Sequence, residues 1–136
     1  MQLIAVSKGR QAEEIEPLIA AGQKDFGENR MQEALAKWPV LLARYPDVRL
    51  HGIGRLQSNK ADDAVTLFDT IHSLDRPSLV EALVRAGAKA GRTPNVYVQV
   101  NIGGEVQKGG CEIGELESFL KVVRGSPLPI KGLMAI

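Results

Sequence analysis

The chain has 136 residues and one cysteine, Cys111, so no internal disulfide can form. A reducing compartment is the simplest setting for such a chain. Aromatic residues make up only 4%, too few for the stacking platforms of single-strand nucleic-acid binders. The formal net charge is +1, which favours neither nucleic acid nor an anionic membrane as partner. No apolar run approaches the length of a membrane span, and no secretory signal pattern opens the chain. The expected location is therefore cytoplasmic. Also missing are a GxxxxGK[ST] phosphate loop, a GxGxxG turn after a strand, a GxSxG elbow and a His/Cys cluster with metal-ligand spacing. What is present is a globular composition, 44% hydrophobic and 24% charged.

Strand-like runs occur at Leu3–Ser7, Asp25–Gly27, Arg49–Ile53, Thr70–Ser73, Val96–Val100 and Lys131–Ile136. Helical patterns lie between them. Ile15, Leu18 and Ile19 share a face that ends at Gly22, with Pro17 inside it. Met31, Ala34, Leu35 and Trp38 form a second stripe, which Pro39 is expected to stop. A third pattern covers roughly 59–68, a fourth follows Asp75 and Pro77, and a fifth runs from about Glu115 to Val123. Asp75 reads as an N-cap. This alternation predicts an α/β fold of parallel strands with helical crossovers. Two architectures fit, an open doubly wound sheet and part of a (β/α) barrel. A full barrel has eight strands in about 250 residues. Six strands therefore predict an incomplete TIM-type barrel, with residues 1–136 as one partial domain.

Function in parallel α/β folds gathers at the carboxyl ends of the strands. The first strand ends in Ser7-Lys8. A lysine kept partly dry loses proton affinity and becomes a nucleophile toward aldehydes; the plainer reading is a strand-end lysine whose amine reaches water. Phe26-Gly27-Glu28-Asn29 follows the second strand, and Asn29 reads equally as a ligand or as the cap of the next helix. His51 and His72 read as hydrogen-bonded core histidines, Ser58 or Asn59 as a helix cap, and Glu28 as a solvated loop charge as readily as a catalytic carboxylate. Cys111 follows Gly109-Gly110 in an expected loop.

Ala5-Val6-Ser7-Lys8, Phe26-Gly27-Glu28-Asn29 with Gln32-Glu33, and His51-x-Ile53-Gly54-x-Leu56-Gln57-x-Asn59-Lys60 occur in that order. His72-Ser73-x-Asp75, Val100-Asn101 with Lys108-x-Gly110, and Gly132-Leu133-Met134-x-Ile136 follow. This ordered set strongly resembles the pyridoxal 5′-phosphate homeostasis proteins, the YggS-like family, which share the alanine racemase N-terminal-like barrel. The resemblance spans the chain. It implies that Lys8 forms a Schiff base with the aldehyde of pyridoxal 5′-phosphate, that Asn29 lies beside the pyridine ring, and that His51 and Met134 line the pocket. The four are expected to share one cavity. It implies a carrier that buffers the cofactor or delivers it to dependent apoenzymes, without robust turnover. An amino-acid racemase of the same barrel, or a Schiff-base aldolase, stands as the alternative.

The sequence departs from the family pattern in three ways. Gly52 stands where a bulky apolar residue is common, Arg55 stands where proline is common, and the sixth strand ends the chain. The family's serine-rich segment and Arg-x-Gly segment, which supply the phosphate cup and the pyridine-nitrogen partner, have no counterpart in these residues.

Overall fold

The computed structural model describes residues 1–136. Strands β1 (Ala5–Val6), β2 (Asp25–Glu28), β3 (Arg49–Gly52), β4 (Thr70–Leu74), β5 (Asn95–Asn101), β6 (Cys111–Glu112) and β7 (Ile130–Met134) alternate with helices. These are α1 (Ala12–Ala20), α2 (Met31–Arg44), α3 (Ala61–Leu67), α4 (Pro77–Ala90) and α5 (Leu116–Arg124). The sheet runs β1-β2-β3-β4-β5, with β7 pairing along β5 and the two residues of β6 pairing with its far end. Every pairing is parallel. Sequence order with β1 at an edge is barrel order, because a doubly wound sheet places its first strand inside. The fold is an incomplete (β/α) barrel.

Register divides the strands into two faces. Phe26 pairs with Leu50 and Gly52 with Ile71; these point toward the helices. Phe26, Leu50, Ile71, Val96 and Val98 are almost wholly buried there against Ile15, Trp38, Leu41, Leu83 and Val123. Each such side chain contributes roughly 1.5–3 kcal/mol through burial. The opposite, barrel-inner face carries Gly27, which pairs with His51. Gly27 is tightly enclosed: a Cβ would stand 3.2 Å from the side chains of both Ile4 and Ile53, which would have to give by a few tenths of an ångström. α4 is bounded as its sequence implies, by Pro77 in the first turn and by Gly91 at φ +67.

Four expectations are corrected. α2 continues through Pro39 to Arg44. Pro39 is exposed, so the carbonyl it leaves unbonded reaches water, while Trp38 and Leu41 bury on either side of it. Asp75 is no cap: its carboxylate accepts from Arg76 Nη1 at 2.8 Å and from the Gly110 N–H at 2.9 Å. Ser58 and Asn59 lie in a short 3₁₀ turn (Ser58–Lys60) whose caps use no side chain. A seventh strand, β6, was not expected and is too short to carry a periodic pattern. It takes Cys111 out of the expected loop and buries it, and that burial, with Asp75 nearby, raises the thiol pKa. Such a thiol is a poor nucleophile.

Candidate functional site

Pairing of β1 with β2 persists past Val6, because the Ser7 N–H donates to Gly27 O at 3.0 Å. Ser7 faces the helices, where its hydroxyl donates to Glu28 Oε2. Lys8 follows one residue on, just past the strand end. It sits exposed in a turn with Gly9, whose φ is +72.

That turn is held from below. Lys37, on α2, donates to Ser7 O at 2.7 Å and to Arg10 O at 2.8 Å, spanning the turn. Glu33, one helical turn earlier, accepts the Gly9 N–H. Glu28 is not the solvated charge that the sequence allowed. It is wholly buried, accepts from Trp38 Nε1 at 2.9 Å and pairs with Lys37 Nζ at 2.9 Å. Burying a carboxylate is costly unless it is paired and hydrogen-bonded. The Ser7, Trp38 and Lys37 contacts all meet Glu28 Oε2, leaving Oε1 buried without a partner, and they tie β2 to the backbone that carries Lys8. Sequence reasoning passed over Lys37, and named Glu33 only within the ordered set, without a role. Their one signal, the i,i+4 spacing of opposite charges, is common on helix surfaces.

Asn29 follows β2 and is half-buried. It does not cap α2, whose N-cap is Arg30. It lines a cavity of about 230 Å³ at the strand ends, together with Gln99, Asn101, Lys108 and Ile136. It also lines a larger one of about 770 Å³, on the side of Gly52 and Ser73. Met134 pairs with Gln99 and borders a separate apolar depression with Val100 and Leu116. His51 and Lys8 line neither of these cavities. Of the four, Asn29 and Met134 thus border different cavities, while His51 and Lys8 border none of these three.

His51 is engaged on both ring nitrogens. Nε2 lies 2.9 Å from Asp25 Oδ1, and Nδ1 lies 2.9 Å from His72 Nε2. An ionised Asp25 requires Nε2–H as donor, so neutral His51 accepts at Nδ1 from His72. His72 stacks on Tyr97 with ring centroids 4.5 Å apart and planes within 5°. Burial, then the nearby His51, lowers the His72 pKa from 6.5 to about 4. For Asp25, burial acts to raise the pKa, but hydrogen bonds from Arg49, His51 and Gln2 outweigh it and hold the carboxyl at about 2. This interior network was legible only as two core histidines.

The family described as alanine racemase, N-terminal domain, matches residues 1–136. The chain belongs to this family. Among curated relatives, a pyridoxal phosphate homeostasis protein of Pseudomonas aeruginosa is 42% identical over 98% of the chain and 58% of its own length. One from Synechocystis is 38% identical, covering all of the chain and 62% of the relative. The chain thus spans about 60% of the length of these relatives. The structure of PipY from Synechococcus elongatus with PLP bound superposes at a TM-score of 0.91, with 43% identity, over 100% of this chain and 63% of that one. Alanine racemase of Clostridium difficile shares the fold, at a TM-score of 0.76 and 12% identity, covering 99% of this chain and 36% of the racemase.

Proposed function

We propose that residues 1–136 are part of a pyridoxal 5′-phosphate-binding barrel domain, and that the whole protein carries this cofactor as a Schiff base on Lys8 and serves its homeostasis. The observation that carries the reading is the place of Lys8. It stands in the turn just past the carboxyl end of β1, exposed, in a chain 43% identical to a PipY structure with PLP bound. The residues around it suit the group. The cavity beside Asn29, which Lys8 does not itself line, offers amides from Asn29 and Gln99, fit for ring substituents and an anionic phosphate; Asn101 and Lys108 also line it but are engaged with the 105–108 loop. When bound, the cofactor supplies an electrophilic aldehyde and an electron-withdrawing ring.

The chain's own residues do the rest. Lys37 and Glu33 fix the turn that presents Lys8. Asn29 would lie beside the ring, His51 would form a floor held rigid by Asp25 and His72, and Met134 would contribute a wall. A cytoplasmic setting and delivery to dependent apoenzymes belong to the same reading, as does the absence of robust turnover. The aldolase alternative loses its candidate relay carboxylate, because Glu28 faces the helices and is occupied by Trp38 and Lys37.

The test is reductive trapping. Borohydride treatment of the full-length protein with pyridoxal phosphate, followed by peptide mapping, should place the adduct on Lys8. An adduct confined to other lysines would overturn the assignment, and amino-acid racemisation at ordinary enzymatic rates would favour the racemase.

A further inference from the structure

The cavity of about 770 Å³ lies mainly on the helix-facing side of the sheet, bounded by Gly52, Phe68, Ile71 and Ser73 and by the loop after β3. That volume suits a small organic ligand. Four cationic side chains line it, Arg30, Arg55, Lys60 and Arg76, and no Asp or Glu does. Arg76 is partnered by Asp75. Arg30, Arg55 and Lys60 make no ion pair. Three unpaired cations around one concavity create a positive potential that an ordinary structural surface would offset.

Ser73 supplies an independent observation. It is 1% exposed, it lines this cavity, and its hydroxyl has no hydrogen-bond partner. A buried hydroxyl without a partner is costly, and here it borders the same cavity that Arg30, Arg55 and Lys60 line. Gly52 keeps the wall low: a Cβ there would stand 2.7 Å from Phe68.

We propose that this cavity binds a small phosphomonoester, at a site separate from Lys8. A phosphomonoester is largely a dianion at neutral pH. Arg55 and Arg30 are suited to bidentate contact with its oxygens, Lys60 adds a point charge, and Ser73 completes the donor set. Met31 and Phe68 give its carbon body an apolar surface. The site goes beyond the cofactor reading: Lys8 does not line it, and Asn29 alone borders both this cavity and the one beside Gln99.

Phenyl phosphate is the probe, titrated into the 136-residue chain by calorimetry and followed through backbone amide shifts. Saturable binding is expected, with shifts concentrated in 52–60 and at Ser73, and with benzoate at least tenfold weaker. The double variant Arg55→Gln/Lys60→Gln should bind at least tenfold more weakly with an unchanged melting temperature, since Arg55 is exposed and Lys60 unpaired. Ser73→Ala should also weaken binding while leaving the free chain equally or more stable; a merely structural serine would not separate these readouts. Lys8→Ala should bind as the parent does. Undiminished binding by the double variant, loss of binding in Lys8→Ala, or preference for a single-stranded oligonucleotide would each overturn the proposal.

Discussion

Lys37 Nζ lies 2.7 Å from the carbonyl oxygen of Ser7, the residue immediately before Lys8. The same amine is 2.9 Å from the wholly buried Glu28, so one side chain both neutralises a core carboxylate and fixes the lysine-bearing turn. Lys37→Met should therefore have two effects. Stability falls by about 3–5 kcal/mol, because a buried charge loses its ionic partner. Lys8 also loses its fixed presentation, so borohydride trapping spreads to other lysines. Pairing Lys37→Met with Glu28→Gln should recover part of the stability but not the selectivity of trapping. If trapping stays selective for Lys8 in the double variant, the turn is held by Glu33 alone.

Lys8 itself makes no hydrogen bond to the rest of the chain and is exposed. Lys8→Ala should change stability by less than about 1 kcal/mol, as surface substitutions generally do. In the full-length protein it should abolish the covalent cofactor adduct seen by mass spectrometry. Equal denaturation midpoints with loss of the adduct is the expected pair of results. A large loss of stability would mean that Lys8 has a packing role that its exposure does not suggest.

The barrel order of the strands was readable because short strand-like runs alternate regularly with helical patterns, several of them bounded by Gly or Pro. The network beneath Lys8 was not. Ser7, Glu28 and Lys37 are separated by 21 and 9 positions, and only the fold brings them together. Glu28 looked like a loop charge because it precedes Asn29. Its burial follows from β2 extending one residue further than the apolar run indicated. Pro39 misled for a similar reason, since local propensity marks it as a breaker while tertiary packing of Trp38 and Leu41 carries α2 past it. His51 was rightly weighed as a core histidine, but its partner Asp25 gave no sign at the start of a short strand.

Gly52 and Phe68 form a compensating pair. The Phe68 ring occupies the space that a side chain at position 52 would take, with Cδ2 only 2.7 Å from an added Cβ. Gly52→Val should destabilise the chain by about 1–3 kcal/mol through overpacking. Combining it with Phe68→Leu should restore more than half of that loss, which urea denaturation of the four chains of the cycle would measure. Strict additivity would show that the two side chains do not compete for the space.

The interior histidines predict an acid-sensitive step. His72 is held at about 4 in the folded chain against 6.5 ordinarily, so between those values the unfolded chain binds a proton that the native one refuses. Stability should be level above neutrality, fall as pH drops from 6.5 to 4, and level again for this group below that. Asp25, held at about 2 against 3.8, stabilises above 3.8 and adds a second loss as pH falls from there toward 2. Urea midpoints at pH 7.5, 5.5 and 4.5 would trace the first step. His72→Phe keeps a ring on Tyr97 and should lower stability overall while flattening the slope between 6.5 and 4. An unchanged slope would assign the step to another group.

The open sheet predicts self-association of the 136-residue chain. β1 pairs only with β2, and β7 only with β5, so each leaves one edge unpaired. Apolar side chains flank both edges: Leu3 is 73% exposed and Val6 50%, Leu133 55% and Ile136 77%. Unpaired edges bordered by exposed apolar groups are templates for strand addition, and a charge pointing from such an edge blunts them. Sedimentation velocity should show a weight-average mass that rises with concentration. Val6→Lys with Leu133→Lys should return it toward the monomer without lowering the helical content, because neither residue packs in the helix-facing core. A monomer at all concentrations in the parent chain would mean that the edges are protected by their own twist and shortness. A dimer that survives both substitutions would place the contact elsewhere, with the apolar depression beside Leu116 as the next surface to alter.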